Sequence, residues 1–288
     1  IEKNIEGVID PGLKVWTFDK NLKGQWSNVT IAARKKFSSR NHLYTVTTKS
    51  GRSITVTADH NLVIMRQGKI RVMRSEAVKI GESLPIPRKI DLESSKIFSF
   101  DLLTLLGLIT SEGHATQKTV EIYNTDPDVL QIIQECASKL GYKTNPRYDY
   151  LSKRIRGFYI APNTFAKECY ELGVCGKSGE KLVPPIIFSL SNSHVAQYLK
   201  AYYEGDGGVD GHQVCATTKS KDLASDLAYL LLRFGIVARL RPNFKRATNT
   251  DDKGDIYYQV SISGKDQLEK FASQIGFLTE TKNAKLKN

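Results

Sequence analysis

A nine-residue pattern occurs twice in this chain, 94 residues apart: Leu105-Leu106-Gly107-Leu108-Ile109-Thr110-Ser111-Glu112-Gly113 and Leu199-Lys200-Ala201-Tyr202-Tyr203-Glu204-Gly205-Asp206-Gly207. Each copy is an apolar stretch with a small residue in third place, closing on a carboxylate followed by glycine. The register extends further, since Glu112 precedes Gly141 by 29 residues and Asp206 precedes Gly235 by 29. In both copies an aspartate (Asp128, Asp222) stands 13 residues before that second glycine and opens a leucine-rich helical pattern. Like units pack about a pseudo-twofold axis that brings equivalent residues together. One acid from each copy is therefore expected at a shared centre.

The texture of the chain changes once. From Leu13 to about Pro87 the runs are short and alternating (14–18, 43–47, 53–57, 62–65, 70–73), separated by Gly, Asn and Ser turns, which predicts an all-β module over residues 1–97. Pro85, Pro87 and the polar stretch through Ser95 read as a linker. Two repeats follow, 98–190 and 191–288. Each is expected to be αββαββα: a motif helix, a strand (119–123 or 214–218) with a partner, a helix (128–140 or 222–234), a hairpin (147–160 or 237–262) and a last helix (164–172 or 266–275). Asp101 is placed as the cap of the first motif helix. The fold class is α+β.

With 288 residues, 40% of them hydrophobic, the chain can bury one or two good cores. Its apolar runs fall short of a membrane span and no signal-peptide pattern opens it, so a soluble cytoplasmic protein without a membrane partner is expected. Cys136, Cys169, Cys175 and Cys215 form no metal-ligand or disulfide spacing. The net charge of +12 is uneven: residues 1–97 hold 18 basic against 9 acidic residues, the remainder 24 against 21. Such a surface suits a polyanion, nucleic acid first.

Small residues at Gly107 and Ala201, with Gly113 and Gly207 at the helix ends, allow two helix backbones to approach closely. Two carboxylates at two helix C-termini then add to the negative ends of both macrodipoles, a potential that calls for a hard cation such as Mg²⁺. At these residues the chain resembles the LAGLIDADG homing endonucleases, whose name spells the motif. The resemblance covers nearly all of residues 98–288. It implies that Glu112 and Asp206 are catalytic and hold Mg²⁺ during phosphodiester hydrolysis, one bond per strand. It also implies that Lys181 and Lys282, each just after the last helix of its half, polarise the attacking water or screen the phosphate. Glu112 is longer than the usual aspartate, which could slow one strand relative to the other.

The two hairpins are basic and aromatic: Arg147, Tyr148, Tyr150, Lys153, Arg154 and Arg156 in the first, Arg239, Arg241, Lys245 and Arg246 in the second. A two-stranded ribbon fits the major groove, and two ribbons on a twofold frame would straddle a long site. The copies differ here, so the expected partner is double-stranded DNA with an asymmetric target, bound by a monomer.

In the first domain, the run from Gly51 to His60, Val78-Lys79-Ile80-Gly81-Glu82 and Pro85-Ile86-Pro87 resemble the Hint fold of protein-splicing elements. The layout of a β-module followed by a LAGLIDADG pair is similar to a bifunctional intein, archaeal polymerase inteins especially. The resemblance implies that Thr57 and His60 contact the scissile peptide. The sequence opens on Ile1 without the Cys or Ser nucleophile and closes on Lys287-Asn288 without a His-Asn pair, so the chain as written is not expected to splice. The alternatives weighed are a splicing element whose nuclease is inactive and an RNA-binding maturase on the same scaffold.

Overall fold

The computed structural model describes residues 12–19, 21–31, 42–87, 89, 90, 92, 94–246 and 254–287. The tip of the second hairpin and the expected terminal residues Ile1 and Asn288 lie outside them. The chain divides into two compact units, residues 1–48 with 53–87, and residues 49–52 with 88–288.

The first unit is built from antiparallel pairs. Strand β1 (Lys14–Phe18) pairs with β2 (Gly24–Asn28), and Trp16 stands opposite Trp26 with ring centroids 5.3 Å apart. This edge-to-face contact accounts for β2, whose sequence Gly-Gln-Trp-Ser-Asn shows no strand alternation. Strands β3 (Leu43–Thr47) and β4 (Ser53–Thr57) form a second pair, and β5 (Asn61–Arg66) and β6 (Lys69–Arg74) a third. The Ser75 hydroxyl donates to the carbonyls of Thr57 (2.7 Å) and Ala58 (3.0 Å), joining the end of β4 to the end of β6.

The second unit carries the repeat. Its first half runs α1 (Phe100–Glu112), β7 (Gly113–Ala115), β8 (Val120–Tyr123), α2 (Pro127–Lys139), β9 (Lys143–Tyr148), β10 (Ile155–Ala161) and α3 (Asn163–Glu171). Its second half runs α4 (Asn192–Gly205), β11 (Gly207–Asp210), β12 (Gln213–Thr218), α5 (Lys221–Leu231), β13 (Arg239–Lys245), β14 (Asp255–Ser263) and α6 (Lys265–Gln274). The two four-stranded sheets have the same order, β7-β8-β10-β9 and β11-β12-β14-β13. Each half is thus αββαββα, as the spacing predicts. A further helix, α7 (Glu280–Lys287), follows; its sequence Glu-Thr-Lys-Asn-Ala-Lys-Leu-Lys has no apolar face from which to predict it. Ile90 packs with this unit: it is buried and its carbonyl accepts a hydrogen bond from Asn192 Nδ2 (3.3 Å).

The cap of α1 corrects the sequence reading by two residues. Ser99, not Asp101, caps α1, its hydroxyl accepting the Asp101 N–H at 3.1 Å. Asp126 and Ser220 likewise cap α2 and α5 ahead of Asp128 and Asp222. Asp101, Asp128 and Asp222 each lie in the first turn, where a carboxylate meets the positive end of the helix dipole.

One core joins both halves. Leu103, Leu105, Leu106, Leu108, Tyr198, Leu199 and Tyr202 are fully buried in it. Helix α1 is apolar all round because it has α4 on one side and its own sheet on another. At the crossing, a Cβ on Gly107 would stand 2.5 Å from the Tyr198 carbonyl and 2.7 Å from the Ala201 Cβ, so only glycine permits this approach. Among the described residues no helix is long and apolar enough to cross a membrane.

Candidate functional site

The two motif helices end side by side. A Cβ on Gly205 would lie 2.2 Å from Ser111 Oγ and 3.0 Å from Glu112 Cγ, so the Glu112 side chain passes directly over the backbone that leads into Asp206. The two acids, 94 residues apart in the chain, therefore share one centre. Both are partly buried, and both are pushed upward from the usual carboxylate range. For Asp206, burial is the main cause and brings it to about 6, opposed by Lys181, Tyr202 and Lys282. For Glu112, burial again leads, opposed by a hydrogen bond from Asn124 and reinforced by the Asp206 charge.

The two lysines singled out in the sequence sit behind the acids. Lys181 Nζ donates to the carbonyls of Gly113 (2.8 Å), Ser111 (3.0 Å) and Ile109 (3.3 Å). Lys282 Nζ donates to the carbonyls of Glu204 and of Gly207, the latter at 2.9 Å. Gly113 and Gly207 are the same position of the two copies, so each helix C-terminus carries an ammonium ion where its dipole is negative. With three carbonyls on Lys181, all three of its N–H donors are engaged. Burial pulls its pKa down while Asp206 and Glu112 pull it up. Lys181 is thus taken up by the end of α1, whereas Lys282 makes two such carbonyl bonds at the end of α4.

Two further residues belong to the centre and escaped the sequence reading. Asn124 Nδ2 donates to Glu112 Oε2, while its Oδ1 accepts the Asp126 N–H at 2.8 Å, so one amide fixes both a turn and the acid. Glu204, 2% exposed, accepts from the Thr279 N–H (3.0 Å) and hydroxyl (3.1 Å) and stands 3.7 Å from Lys282 Nζ. It thereby anchors the segment that carries Lys282. Only the 94-residue register could have flagged these positions. Their counterparts Thr218 and Thr110 are also polar.

Glu112 and Asp206 offer hard oxygen donors. No cluster of three or more His, Cys, Asp or Glu side chains that could hold a metal ion occurs among the described residues. That donor set fits Mg²⁺, which keeps several waters and takes one or two carboxylates, the rest coming from substrate phosphate. Two half-buried acids with raised pKa values also gain from a nearby cation.

Flanking the centre, each sheet turns one face to the core and one outward. In the first sheet Ile122 and Phe158 stand on the core face with Pro146, so Glu121, Tyr123, Asn145, Arg147 and Tyr159 share the other. In the second, Val260 pairs with Leu240 on the core face, which puts Arg239, Arg241, Asn243, Lys245 and Tyr257 outward. Arg147, Arg239, Arg241 and Lys245 are therefore on the outer faces. A register shift between Ile155 and Gly157 carries Arg156 to the same face, its guanidinium carbon 5.4 Å from the centre of the Tyr123 ring. Tyr150, Lys153 and Arg154 form the exposed tip, Lys153 lying over the Tyr150 ring at 4.7 Å. Arg246 follows β13, also exposed. Tyr148 departs from the expectation: it has the parity of Pro146 and pairs with Ile155, away from the basic face. In the first unit Thr57 and His60 meet at a tight turn, the His60 N–H donating to the Thr57 carbonyl at 3.0 Å.

The profile of the LAGLIDADG-like domain matches residues 99–172 and again 193–276, the two copies described above. Among curated proteins, the chain is 31% identical over 277 residues to the replication factor C small subunit of Methanocaldococcus jannaschii, covering 95% of this chain and 14% of that one. It is 29% identical over 265 residues to the replicative DNA helicase DnaB of Rhodothermus marinus, covering 85% and 27%. The chain thus spans less than a third of either relative. Among solved structures, the homing endonuclease I-DmoI is similar at 14% identity and a TM-score of 0.45, over 64% of this chain and 96% of that one. With its profile matched once in each half, the chain belongs to the LAGLIDADG-like domain family.

Proposed function

We propose that the chain is a site-specific double-strand DNA endonuclease of the homing type, active as a monomer whose two copies each address one strand. The observation that carries this reading is the convergence of Glu112 and Asp206 at one centre flanked by two basic β-faces. Glu112 and Asp206 would hold Mg²⁺, which when bound supplies an activated water and charge stabilisation at the departing oxygen. The chain's own residues do the rest. Asn124 orients Glu112, Lys181 and Lys282 neutralise the helix ends, and the ribbons fix the duplex by phosphate and base contacts.

The β-unit is proposed to be of the protein-splicing type, with Thr57 and His60 at its reactive turn. Support comes from where the relatives match: one segment of nearly the whole chain's length recurs as a minor part of a replication factor subunit and of a helicase. A module found inside proteins of unlike function is most simply an insert that leaves its host.

The test is cleavage of a plasmid library carrying randomised inserts, with Mg²⁺, by the full chain and by Asp206→Asn. Discrete double-strand breaks made by the first and not the second support the reading. Breaks made equally by both, or by neither, overturn it.

A further inference from the structure

We infer that Arg147 is a guanine reader, set in place by Glu121 and Tyr159, and that the half-site beneath the first copy contains a guanine the protein requires. This rests on the DNA-binding reading above and goes beyond it by naming a base. Arg147 projects from β9 on the outer face, opposite Gly157. Gly157 has no side chain, so the guanidinium reaches across it and Nη2 pairs with Glu121 Oε1 on β8. The guanidinium carbon lies 5.4 Å from the centre of the Tyr159 ring, and that ring is itself held by a hydroxyl donating to Asn163 Oδ1 at 2.8 Å. Glu121 Oε2 accepts from the Tyr123 hydroxyl, whose ring carries Arg156. The arginine side chain is 47% exposed and the glutamate 18%.

An exposed ion pair of this kind contributes little to folding. Its effect is orientation. One nitrogen of the fork is committed to Glu121, an aromatic ring lies against the guanidinium, and its other N–H groups have no hydrogen bond among the described residues. A bidentate pair of N–H donors is complementary to O6 and N7 of guanine, the base edge arginine matches in the major groove. A carboxylate on a DNA-facing surface otherwise repels phosphate, so its presence beside Arg147 needs a positive role. The second copy provides the contrast. Arg241 holds the corresponding place opposite Gln259, with Thr217 beyond, and has no ion pair among the described residues.

The test uses the full chain and a duplex selected from a randomised pool in Ca²⁺. Each guanine of the selected duplex is replaced in turn by 7-deazaguanine, which lacks the N7 acceptor. One replacement in the first-copy half should weaken binding about 5- to 150-fold, the span of a good bidentate contact. The same replacement should have no effect on Arg147→Lys. Glu121→Gln should lose several-fold of the guanine-over-adenine preference at that base while binding scrambled duplex as well or better, a result that lost folding would not give. Uniform tolerance of 7-deazaguanine by the wild type, or an unchanged base preference in Glu121→Gln, would overturn the assignment. If no duplex is enriched at all, the DNA-binding reading fails instead.

Discussion

At the end of α1, Glu112 is held from in front by Asn124, and the helix terminus is covered from behind by Lys181 on three carbonyls. At the end of α4, Asp206 has no such amide among the described residues. Thr218 replaces Asn124 in the register and spends its hydroxyl on the Ser220 N–H at 3.1 Å. Instead a second carboxylate, Glu204, secures the lysine segment through Thr279. The same backbone ending thus supports two acids by different means. What the duplication preserves is the placement of charge, one acid and one ammonium per helix end; what it leaves free is how each is held.

The largest expected effects test whether both acids are needed. Asp206→Asn should lower double-strand cleavage by at least about 10³-fold, the several kcal/mol that metal-assisted hydrolysis supplies. Glu112→Gln should do the same, measured as linear product from supercoiled plasmid. Accumulation of nicked circles with either variant would show that one acid serves one strand. Unequal nicking rates in the wild type would assign the slower strand to the longer Glu112 side chain.

Next in size is the helix crossing. Gly107→Ala places a methyl 2.5 Å from the Tyr198 carbonyl, backbone that cannot rotate aside, so the helices must separate. Overpacking of this kind costs about 1–3 kcal/mol, to be read as a lower denaturant midpoint. Ala201→Gly, on the opposing helix, should relieve part of the clash in the double variant. Additive losses would show that the two positions do not meet.

These elements differ in how plainly the sequence shows them. The motif helices were legible because their apolar runs and glycine endings repeat in register, and the αββαββα order followed from periodicity. The lysines were found by position, although 101 residues rather than 94 separate Lys181 from Lys282. Their engagement with helix carbonyls was not legible, since nothing local distinguishes a buried ammonium from a surface one. Asn124 was missed because its value lies in a hydrogen bond across 12 residues that only the fold closes. Glu204 was hidden by proximity to Asp206, two acids in one motif of which the deeper has a structural partner. Tyr148, exposed but of opposite parity to Arg147, could not be separated from it in the sequence, because a hairpin's composition does not reveal which residues share a face.

The Asp206 carboxyl has a folded pKa of about 6 against an ordinary value of 3.8, so the folded state binds its proton more tightly than the unfolded state does. Its protonated form is favoured on folding. Stability from this group is full below about pH 3.8 and lost as pH rises through 6. At pH 7 Asp206→Asn should therefore be more stable than the wild type by about 2 kcal/mol, and the gain should vanish below pH 4. Urea midpoints across this range check the sign. Added Mg²⁺ should raise the wild-type midpoint and leave Asp206→Asn less affected.

The smallest expected effect returns to where the two motif helices begin. Ser99 caps α1 through its hydroxyl, whereas Ser191, the N-cap of α4, makes no such bond; its hydroxyl lies 2.9 Å from Ser193 Oγ and 2.6 Å from His194 Nδ1. Ser99→Ala removes the acceptor of a first-turn N–H and should cost about 1 kcal/mol. Ser191→Ala leaves the first turn as it was and should cost less than half of that. Asp101→Asn, at the residue the sequence pattern favoured as cap, leaves the cap in place and removes a first-turn charge and its pair with Lys139 at 3.4 Å, so it should cost about 0.5 kcal/mol, less than Ser99→Ala. If Asp101→Asn proved more damaging than Ser99→Ala, the cap would sit two residues later than its geometry places it. The first copy would then begin, as well as end, by its own rules.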